Sequence, residues 1–195
     1  MRLSLILTTL ALTAYSAHGV GIYQVDQSVS PLTAPNLFVN IESTGESFVP
    51  TLSSVGFAQF YLNDASPVQQ SSTLVVDIWS GSFANGVLLG QTAPVTVGPF
   101  SAGATTFYFS NPVAVTPGTT YFLQPIILSG DIESAGVLPG TGYANGEAFI
   151  SGVANPNYDL WFNEGVVVPE PSTFSLAIVG LLGIAPVLRR RNLTR

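Results

Sequence analysis

The spacing of apolar residues between Val20 and Val168 is the strongest constraint on the fold of this chain. No segment of that sequence keeps an apolar period of 3.6 residues, which is the pattern of an amphipathic helix. Short runs rich in Val, Phe and Tyr alternate with polar residues instead, and Gly, Pro, Asn and Ser separate them. Alternation at period two between turn residues predicts antiparallel strands. We therefore predict an all-β body of eight to ten short strands, folded as a single antiparallel, jelly-roll-like β-sandwich.

Four local features make this prediction specific. Segment 73–79 alternates regularly and predicts a strand with Leu74, Val76 and Ile78 on one face and Val75, Asp77 and Trp79 on the other. The Pro-Gly pair at 117–118 predicts a type II turn between two strands. Segment 129–142 is interpreted as a loop, because it is rich in turn residues. Trp161 lies among other aromatic residues and is interpreted as a core residue.

The charge of the body is entirely negative. Lysine, arginine, histidine and cysteine are absent between Val20 and Val168, and ten acidic residues are present: Asp26, Glu42, Glu46, Asp64, Asp77, Asp131, Glu133, Glu147, Asp159 and Glu164. Because nothing there can neutralise a phosphate backbone, we predict that the body does not bind nucleic acid. Neutral glycans, divalent cations and other proteins remain as partners. Without cysteine, the fold depends on packing and sheet hydrogen bonds.

The residue types also limit catalysis. The only histidine is His18, so a Ser-His-Asp triad or a histidine-ligated zinc cannot be built in the body. Two carboxylates can in principle hydrolyse a glycosidic bond, and this leaves a glycoside hydrolase as a third, weak alternative. The acids considered for it are Asp77, Asp131, Glu133, Asp159 and Glu164. No spacing among them favours a catalytic pair, and we predict that the protein is not an enzyme.

Asp77 and Trp79 form a candidate glycan-binding pair. Residues two apart on a strand share a face, so an indole could stack on a sugar ring while a carboxylate accepts hydrogen bonds from its hydroxyls. The same parity is expected if Trp79 packs in the core or under a loop. A carbohydrate-binding module for a neutral glycan is therefore the alternative function.

Asp131 and Glu133 are candidate calcium ligands, as are the oxygens of segment 155–159. Carboxylate and carbonyl oxygens are the ligands that calcium prefers, but neither segment has the spacing of an EF-hand loop. Solvated acids in loops are the alternative. We predict no required cofactor, with calcium left open.

The first nineteen residues have the order of a secretory signal peptide. Arg2 precedes an apolar run, residues 3–14, and small residues surround His18 at 17–19. We predict a signal peptide at 1–19, cleaved after Gly19, and a sandwich domain at 20–166. An uncleaved N-terminal helix is the alternative.

The last segment, 167–195, has a different composition. Pro169, Glu170 and Pro171 precede an uncharged apolar span at 173–188, and a basic end follows at 189–195 that begins with Arg189, Arg190 and Arg191. As a helix the span would measure about 24 Å, which is short for a hydrocarbon core of roughly 30 Å, so we predict a minimal transmembrane helix. The arginines would stay on the cytoplasmic side and the body outside. An uncut anchor and a buried core helix are alternatives.

This order of motif, span and basic end resembles the PEP-CTERM sorting tail of exported bacterial proteins. The resemblance implies recognition of Pro169, Glu170 and Pro171 by a membrane transpeptidase of the exosortase type, with Arg189 to Arg191 as the basic stop. It implies export through the inner membrane, transient anchoring, and then a place at the cell surface or in an extracellular matrix with exopolysaccharide. The body is more loosely similar to sandwich domains that carry such tails. The predicted function is therefore that of an exported, non-catalytic surface or matrix protein.

Overall fold

Strands make up every regular element that the computed structural model describes. The described residues are 22–29, 35, 37–64, 70–130, 133–139 and 143–168, so the predicted signal peptide and sorting tail lie outside them. The strands are β1 (Ile22–Val29), β2 (Leu37–Asn40), β3 (Gly45–Phe48), β4 (Ser54–Asp64), β5 (Ser72–Ser80), β6 (Val87–Gln91), β7 (Val95–Val97), β8 (Ala102–Ala114), β9 (Tyr121–Ser129), β10 (Glu133–Pro139), β11 (Ala148–Ile150), β12 (Val153–Asn155), β13 (Tyr158–Leu160) and β14 (Phe162–Val168). Within these residues there is no helix of the length and hydropathy needed to cross a membrane.

The strands form two antiparallel sheets. In sheet A the order is β1-β14-β4-β10-β13, with β8 also paired to β4 and β2 to β10. In sheet B the order is β12-β11-β3-β9-β5-β6, with β7 also paired to β5. The all-β, antiparallel prediction is confirmed, and two sheets of this kind are consistent with a β-sandwich.

A single hydrophobic core takes side chains from both sheets. Phe60, Phe107 and Phe162 contribute from sheet A, and Leu123 and the alternating aliphatic residues of β5 contribute from sheet B. Those β5 residues are Leu74, Val76 and Ile78, each with no exposed surface. The strand predicted at 73–79 is therefore confirmed, and the structure shows that the face with Leu74, Val76 and Ile78 is the one turned to the core.

Thr92, just after β6, connects the two sheets. Its backbone N–H donates to the Val76 carbonyl at 3.0 Å, and its hydroxyl accepts a bond from the Val76 N–H at 2.8 Å. On its other side Thr92 forms an isolated antiparallel bridge with Phe109 of β8. Val76 belongs to sheet B and Phe109 to sheet A, so the sheets are joined by backbone pairing at this corner.

Two further predictions have opposite outcomes. Gly118 has a φ of +79° in the turn between β8 and β9, as the third position of a type II turn requires, which agrees with the turn predicted at 117–118. The loop predicted at 129–142 is wrong, because this segment contains β10. Ala135 and Val137 of β10 face the core and its backbone pairs with β2, β4 and β13. The number of strands also exceeds the predicted eight to ten.

Candidate functional site

Asp77 and Trp79 lie on the outer face of sheet B, away from the core. Their neighbours on this face follow from the register. Asp77 stands opposite Gln91 of β6 and Gln124 of β9, and Trp79 stands opposite Leu88 and Phe122. A polar row, Gln91–Asp77–Gln124, therefore lies beside an apolar row, Leu88–Trp79–Phe122.

The two predicted glycan-binding residues differ in environment. The Asp77 side chain is 4% exposed and accepts a hydrogen bond of 2.8 Å from Gln91 Nε2. Burial raises the pKa of Asp77, and the bond from Gln91 opposes that rise. Trp79 is half-buried and is not a member of the described core. Its indole N–H is buried and makes no hydrogen bond within the described residues.

Phe83 covers the adjacent part of this face. Its ring stacks on Phe149 with centroids 4.7 Å apart, and it meets Phe122 edge-on at 6.4 Å. Gly45 of β3 lies beneath, and a Cβ at that position would collide with the Phe83 ring and with the Leu123 carbonyl. The loop after β5 is thus held against sheet B by an aromatic cluster that depends on a glycine.

A second group of polar side chains is buried inside the fold. Glu46 of β3 and Glu164 of β14 have no exposed surface. Glu46 Oε2 accepts a 2.8 Å bond from the Leu160 N–H, whereas Oε1 has no partner among described residues. Burial raises the pKa of Glu46 well above its ordinary value, and the nearby charge of Asp159 adds to the rise despite the Leu160 bond.

Glu164 is the more isolated of these two acids. Neither of its carboxyl oxygens makes a hydrogen bond of ordinary geometry with a described residue. Burial, followed by the negative charge of Asp26, raises the pKa of Glu164 to about 8. With this pKa the side chain is mostly protonated at neutral pH. The body contains no lysine, arginine or histidine that could balance the charge of an ionised Glu164.

Tyr143 and Asp26 organise the polar groups around Glu164. The Tyr143 hydroxyl donates to Gln27 Oε1 at 3.0 Å and accepts from the Val49 N–H at 3.0 Å. Asp26 Oδ2 accepts from the N–H groups of Thr51 (2.7 Å) and Leu52 (2.9 Å). Partial burial would raise the pKa of Asp26, but these bonds and one from the Thr51 hydroxyl outweigh it, so the pKa is lowered.

Only some of the predicted calcium ligands lie within the described residues. Asp131 lies outside the described residues, and Glu133 is fully buried at the start of β10, opposite Asp64 of β4. Asp159 of the second predicted segment accepts a bond of 3.1 Å from the Tyr143 N–H. No group of three or more His, Cys, Asp or Glu residues that could hold a metal ion is found in the described part of the chain. Calcium binding stays a prediction.

The acids considered for glycoside hydrolysis are separated by the fold. Asp77 is on the outer face of sheet B, whereas Glu164 points inward from sheet A. All four that the structure describes are almost fully buried: Asp77, Glu133, Asp159 and Glu164. A cleft of about 350 Å³ does open between turn 40–43 and residues 124–127 of β9, but Glu42 is the one acid among its described lining residues. No accessible carboxylate pair is formed by these residues.

The outer face of sheet A carries a cluster that the sequence analysis did not identify. Trp161 lies on this face, so its prediction as a core residue is wrong. Its ring meets Tyr61 edge-on with centroids 5.9 Å apart, and Tyr61 contacts Phe38 at 6.1 Å. Four residues earlier on β4, Phe57 contacts Tyr23 of β1 at 4.9 Å. We call this group the aromatic–amide face; its residues are Tyr23, Phe38, Phe57, Gln59, Tyr61, Thr106, Tyr108, Trp161 and Asn163. Phe57 has no exposed surface and packs against Tyr23.

Polar side chains lie between the two aromatic ends of this face. Gln59 of β4 stands opposite Thr106 of β8 on one side and Asn163 of β14 on the other. Gln59 Nε2 donates to the Thr106 hydroxyl at 2.8 Å, and Asn163 Nδ2 donates to Gln59 Oε1 at 2.9 Å. Period-two alternation along β4 could have placed Gln59 and Tyr61 on one face, but their partners on β8 and β14 depend on a register that the sequence does not show.

Comparison with known proteins identifies no relative. No protein-family model matches this chain, and neither the curated proteins nor the solved structures contain a significant match.

Proposed function

We propose that this chain is an exported, non-catalytic cell-surface or extracellular-matrix protein that an exosortase-type membrane transpeptidase sorts through its C-terminal tail. The observation that carries the proposal is the order of the Pro169–Pro171 motif, the apolar span at 173–188 and Arg189 to Arg191. The apolar run and small residues of segment 1–19 support export, with the inner membrane as a transient anchor. A body without histidine, cysteine or lysine supports a non-catalytic role.

A jelly-roll-like topology is part of this proposal. The chain passes repeatedly between the sheets: β3 is in sheet B, β4 in sheet A, β5 in sheet B and β8 in sheet A. The first and last described strands, β1 and β14, are neighbours in sheet A. Repeated crossing with adjacent ends is the connectivity expected of a jelly roll.

Mass spectrometry of the protein recovered from its exporting host tests the sorting proposal. We expect a mature N-terminus at Val20 and a C-terminus that has lost the apolar span and the basic end. A variant with Glu170→Ala should keep the full tail, whereas Glu147→Ala in the body should be processed normally. Wild-type protein that still ends in Arg195 would overturn the proposal and leave a simple membrane anchor.

Binding of a neutral glycan by the body is the second candidate function. The observation that favours it is that Trp79 lies outside the core, on the same face as Asp77, Gln91 and Gln124. A glycan array probed with wild type, Trp79→Phe and Trp79→Ala tests this site. Binding should be kept by Trp79→Phe and weakened by Trp79→Ala. Equal binding by all three proteins would exclude Trp79 from recognition.

A further inference from the structure

The aromatic–amide face is uncharged, and the body around it contains no cation. None of its nine residues is an acid or a base. The ten acids of the body give it a negative field, and no lysine, arginine or histidine is present between Val20 and Val168 to offset that field. A phosphorylated, sulfated or uronate ligand would therefore be repelled. The charge distribution selects a neutral partner.

The aromatic ends of the face expose large rings. Tyr23, Phe38 and Tyr108 are 39%, 40% and 43% exposed, and Tyr61 and Trp161 are half-buried. Tyr23 and Tyr108 are stacked with centroids 6.3 Å apart, and their hydroxyls are hydrogen-bonded to each other. Rings fixed by their neighbours offer apolar surface at little entropic cost. The C–H faces of sugar rings are a suitable partner for such surface.

Hydrogen bonds already orient the side-chain amides at the centre of the face. The bonds from Gln59 to Thr106 and from Asn163 to Gln59 each use one N–H of a side-chain amide that has two. The second N–H of each amide and the Asn163 carbonyl oxygen can therefore bond with a ligand. Neutral donors and acceptors held in place between aromatic rings match the hydroxyl groups of a glycan, whereas an apolar peptide segment would leave them unpaired.

We propose that the aromatic–amide face binds a neutral glycan chain that lies along β4. Sugar rings stack on Trp161 and Tyr61 at one end and on Tyr108 at the other, and Gln59 and Asn163 bond with hydroxyls between them. Phe57 and Tyr61 are four residues apart on a strand, which corresponds to about 13 Å, so the face suits a chain of several sugars. The proposal shares its ligand class with the second candidate function but rests on a different sheet.

Affinity electrophoresis of the full-length protein tests the proposal. The protein is solubilised in a detergent without a sugar headgroup, because a glycosidic detergent would compete. Native gels contain laminarin, xyloglucan or galactomannan as neutral probes, and alginate serves as the uronate control. We expect at least one neutral polysaccharide to retard the protein and alginate to have no effect.

Variants on the two sheets locate the site. Trp161→Ala and Tyr108→Ala should each weaken retardation at least tenfold, and Gln59→Leu should weaken it while keeping the side-chain volume. Val87→Ala, at a 65% exposed position of β6 outside this face, is the control and should bind as wild type does. Trp79→Ala distinguishes this face from the second candidate site on sheet B. Thermal unfolding of each variant separates lost binding from lost folding. Because Tyr108 is 43% exposed, its variant should remain folded if Trp161→Ala does not.

Three results would overturn the proposal that the aromatic–amide face binds a neutral glycan. If none of the neutral polysaccharides retards wild type, the face does not bind a glycan of these types. If Trp79→Ala alone abolishes retardation, the second candidate function stands and its site is on sheet B. If the variants change the protein from a dimer to a monomer without affecting retardation, the face is a contact between copies of the chain.

Discussion

Glu164 is a carboxyl group buried where no positive charge is available. Its oxygens make no hydrogen bond of ordinary geometry with a described residue, although the Gln27 backbone N–H is near enough to oppose the rise in its pKa, and Asp26 and Tyr143 are its titratable neighbours. Asp26 is held ionised by backbone N–H groups, and burial raises the pKa of Tyr143 to about 12. Protonation of Glu164 therefore lowers the free-energy cost of burying this side chain at neutral pH.

This burial predicts that the folded protein becomes less stable as pH rises from 5 to 8. The folded pKa of Glu164 is about 8 against an ordinary 4.5, so in this window the folded state binds a proton that the unfolded state has released. The stabilisation is complete below pH 4.5 and is lost on the way to pH 8. At about 1.4 kcal/mol per pKa unit, the loss amounts to several kcal/mol. Thermal unfolding at pH 5, 6.5 and 8 measures it.

Two variants separate Glu164 from the other acids. Glu164→Gln keeps the shape without the titration and should flatten the decline in melting temperature; a smaller decline should remain, because the pKa of Glu46 is also raised. Glu42→Gln, at an exposed position, should decline as wild type does. A wild-type melting temperature that is unchanged from pH 5 to 8 would contradict this account.

Tyr143 makes a separate contribution through its hydroxyl. Tyr143→Phe removes the partner of both the Gln27 amide oxygen and the Val49 N–H. Because these groups are at least partly buried, the free energy of unfolding should fall by about 1 to 3 kcal/mol. Urea unfolding measures the change, with Tyr158→Phe, a half-buried tyrosine, as the control. Equal stability of Tyr143→Phe and wild type would show that water replaces both bonds.

Single residues also show where sequence patterns fail. The aromatic residues around Trp161 predict a place in the core, yet its side chain lies on an outer face. Parity along a strand separates two faces but does not say which one is covered, because that depends on the opposite sheet. The same ambiguity gives Trp79 two interpretations, of which the described core excludes only packing inside the sandwich.

The packing of β3 against Phe83 and β9 depends on the absence of a side chain at Gly45. Gly45→Ala would drive a methyl group into the Phe83 ring and the Leu123 carbonyl, and the latter is backbone in β9. We expect a loss of about 1 to 3 kcal/mol in the free energy of unfolding. Gly98→Ala is the control, because an added Cβ there meets no atom within 4 Å. Chemical denaturation of both variants provides the comparison, and equal stabilities would contradict the close packing of Phe83.

The sequence predicts correctly those strands and turns whose own residues carry the pattern. β5 has uninterrupted alternation, and Gly118 supplies the positive φ that its turn needs. β10 has no such signal, since Ser134, Gly136 and Pro139 are typical turn residues. Its strand conformation comes from pairing with β2, β4 and β13, which are distant in sequence. Gly136 even has a local use, because a Cβ there would collide with Pro35.

The charge of the body is unbalanced. With up to ten ionised acids and no bases between Val20 and Val168, long-range electrostatics in the folded body are repulsive. Raising NaCl from about 10 to 150 mM shortens the Debye length from about 30 to 8 Å. The melting temperature at pH 7 should therefore rise by a few degrees. The rise should shrink at pH 3.5, where most carboxylates are protonated, and a fall with salt at pH 7 would contradict it.

Composition leaves neutral glycans, divalent cations and other proteins as partners of the body, and only the fold shows which side chains form a common surface. The lack of lysine, arginine and histidine between Val20 and Val168 makes an anionic partner electrostatically unfavourable for either sheet. The grouping of Gln59, Thr106 and Asn163 joins three strands separated by many residues along the chain. Strand register of this kind is a property of the folded molecule, and no local pattern in the sequence encodes it.

The position of β14 has consequences for the timing of folding and for mechanical strength. β14 lies between β1 and β4, so the first described strand of sheet A obtains its neighbour only when the last one arrives. In a chain that emerges N-terminus first, β1 and residues 57–60 of β4 therefore lack this partner until residues 162–168 follow, whereas residues 62–64 of β4 can pair earlier with β10. Once in place, β14 is hydrogen-bonded on both sides, and tension applied at residue 169 is shared by two ladders.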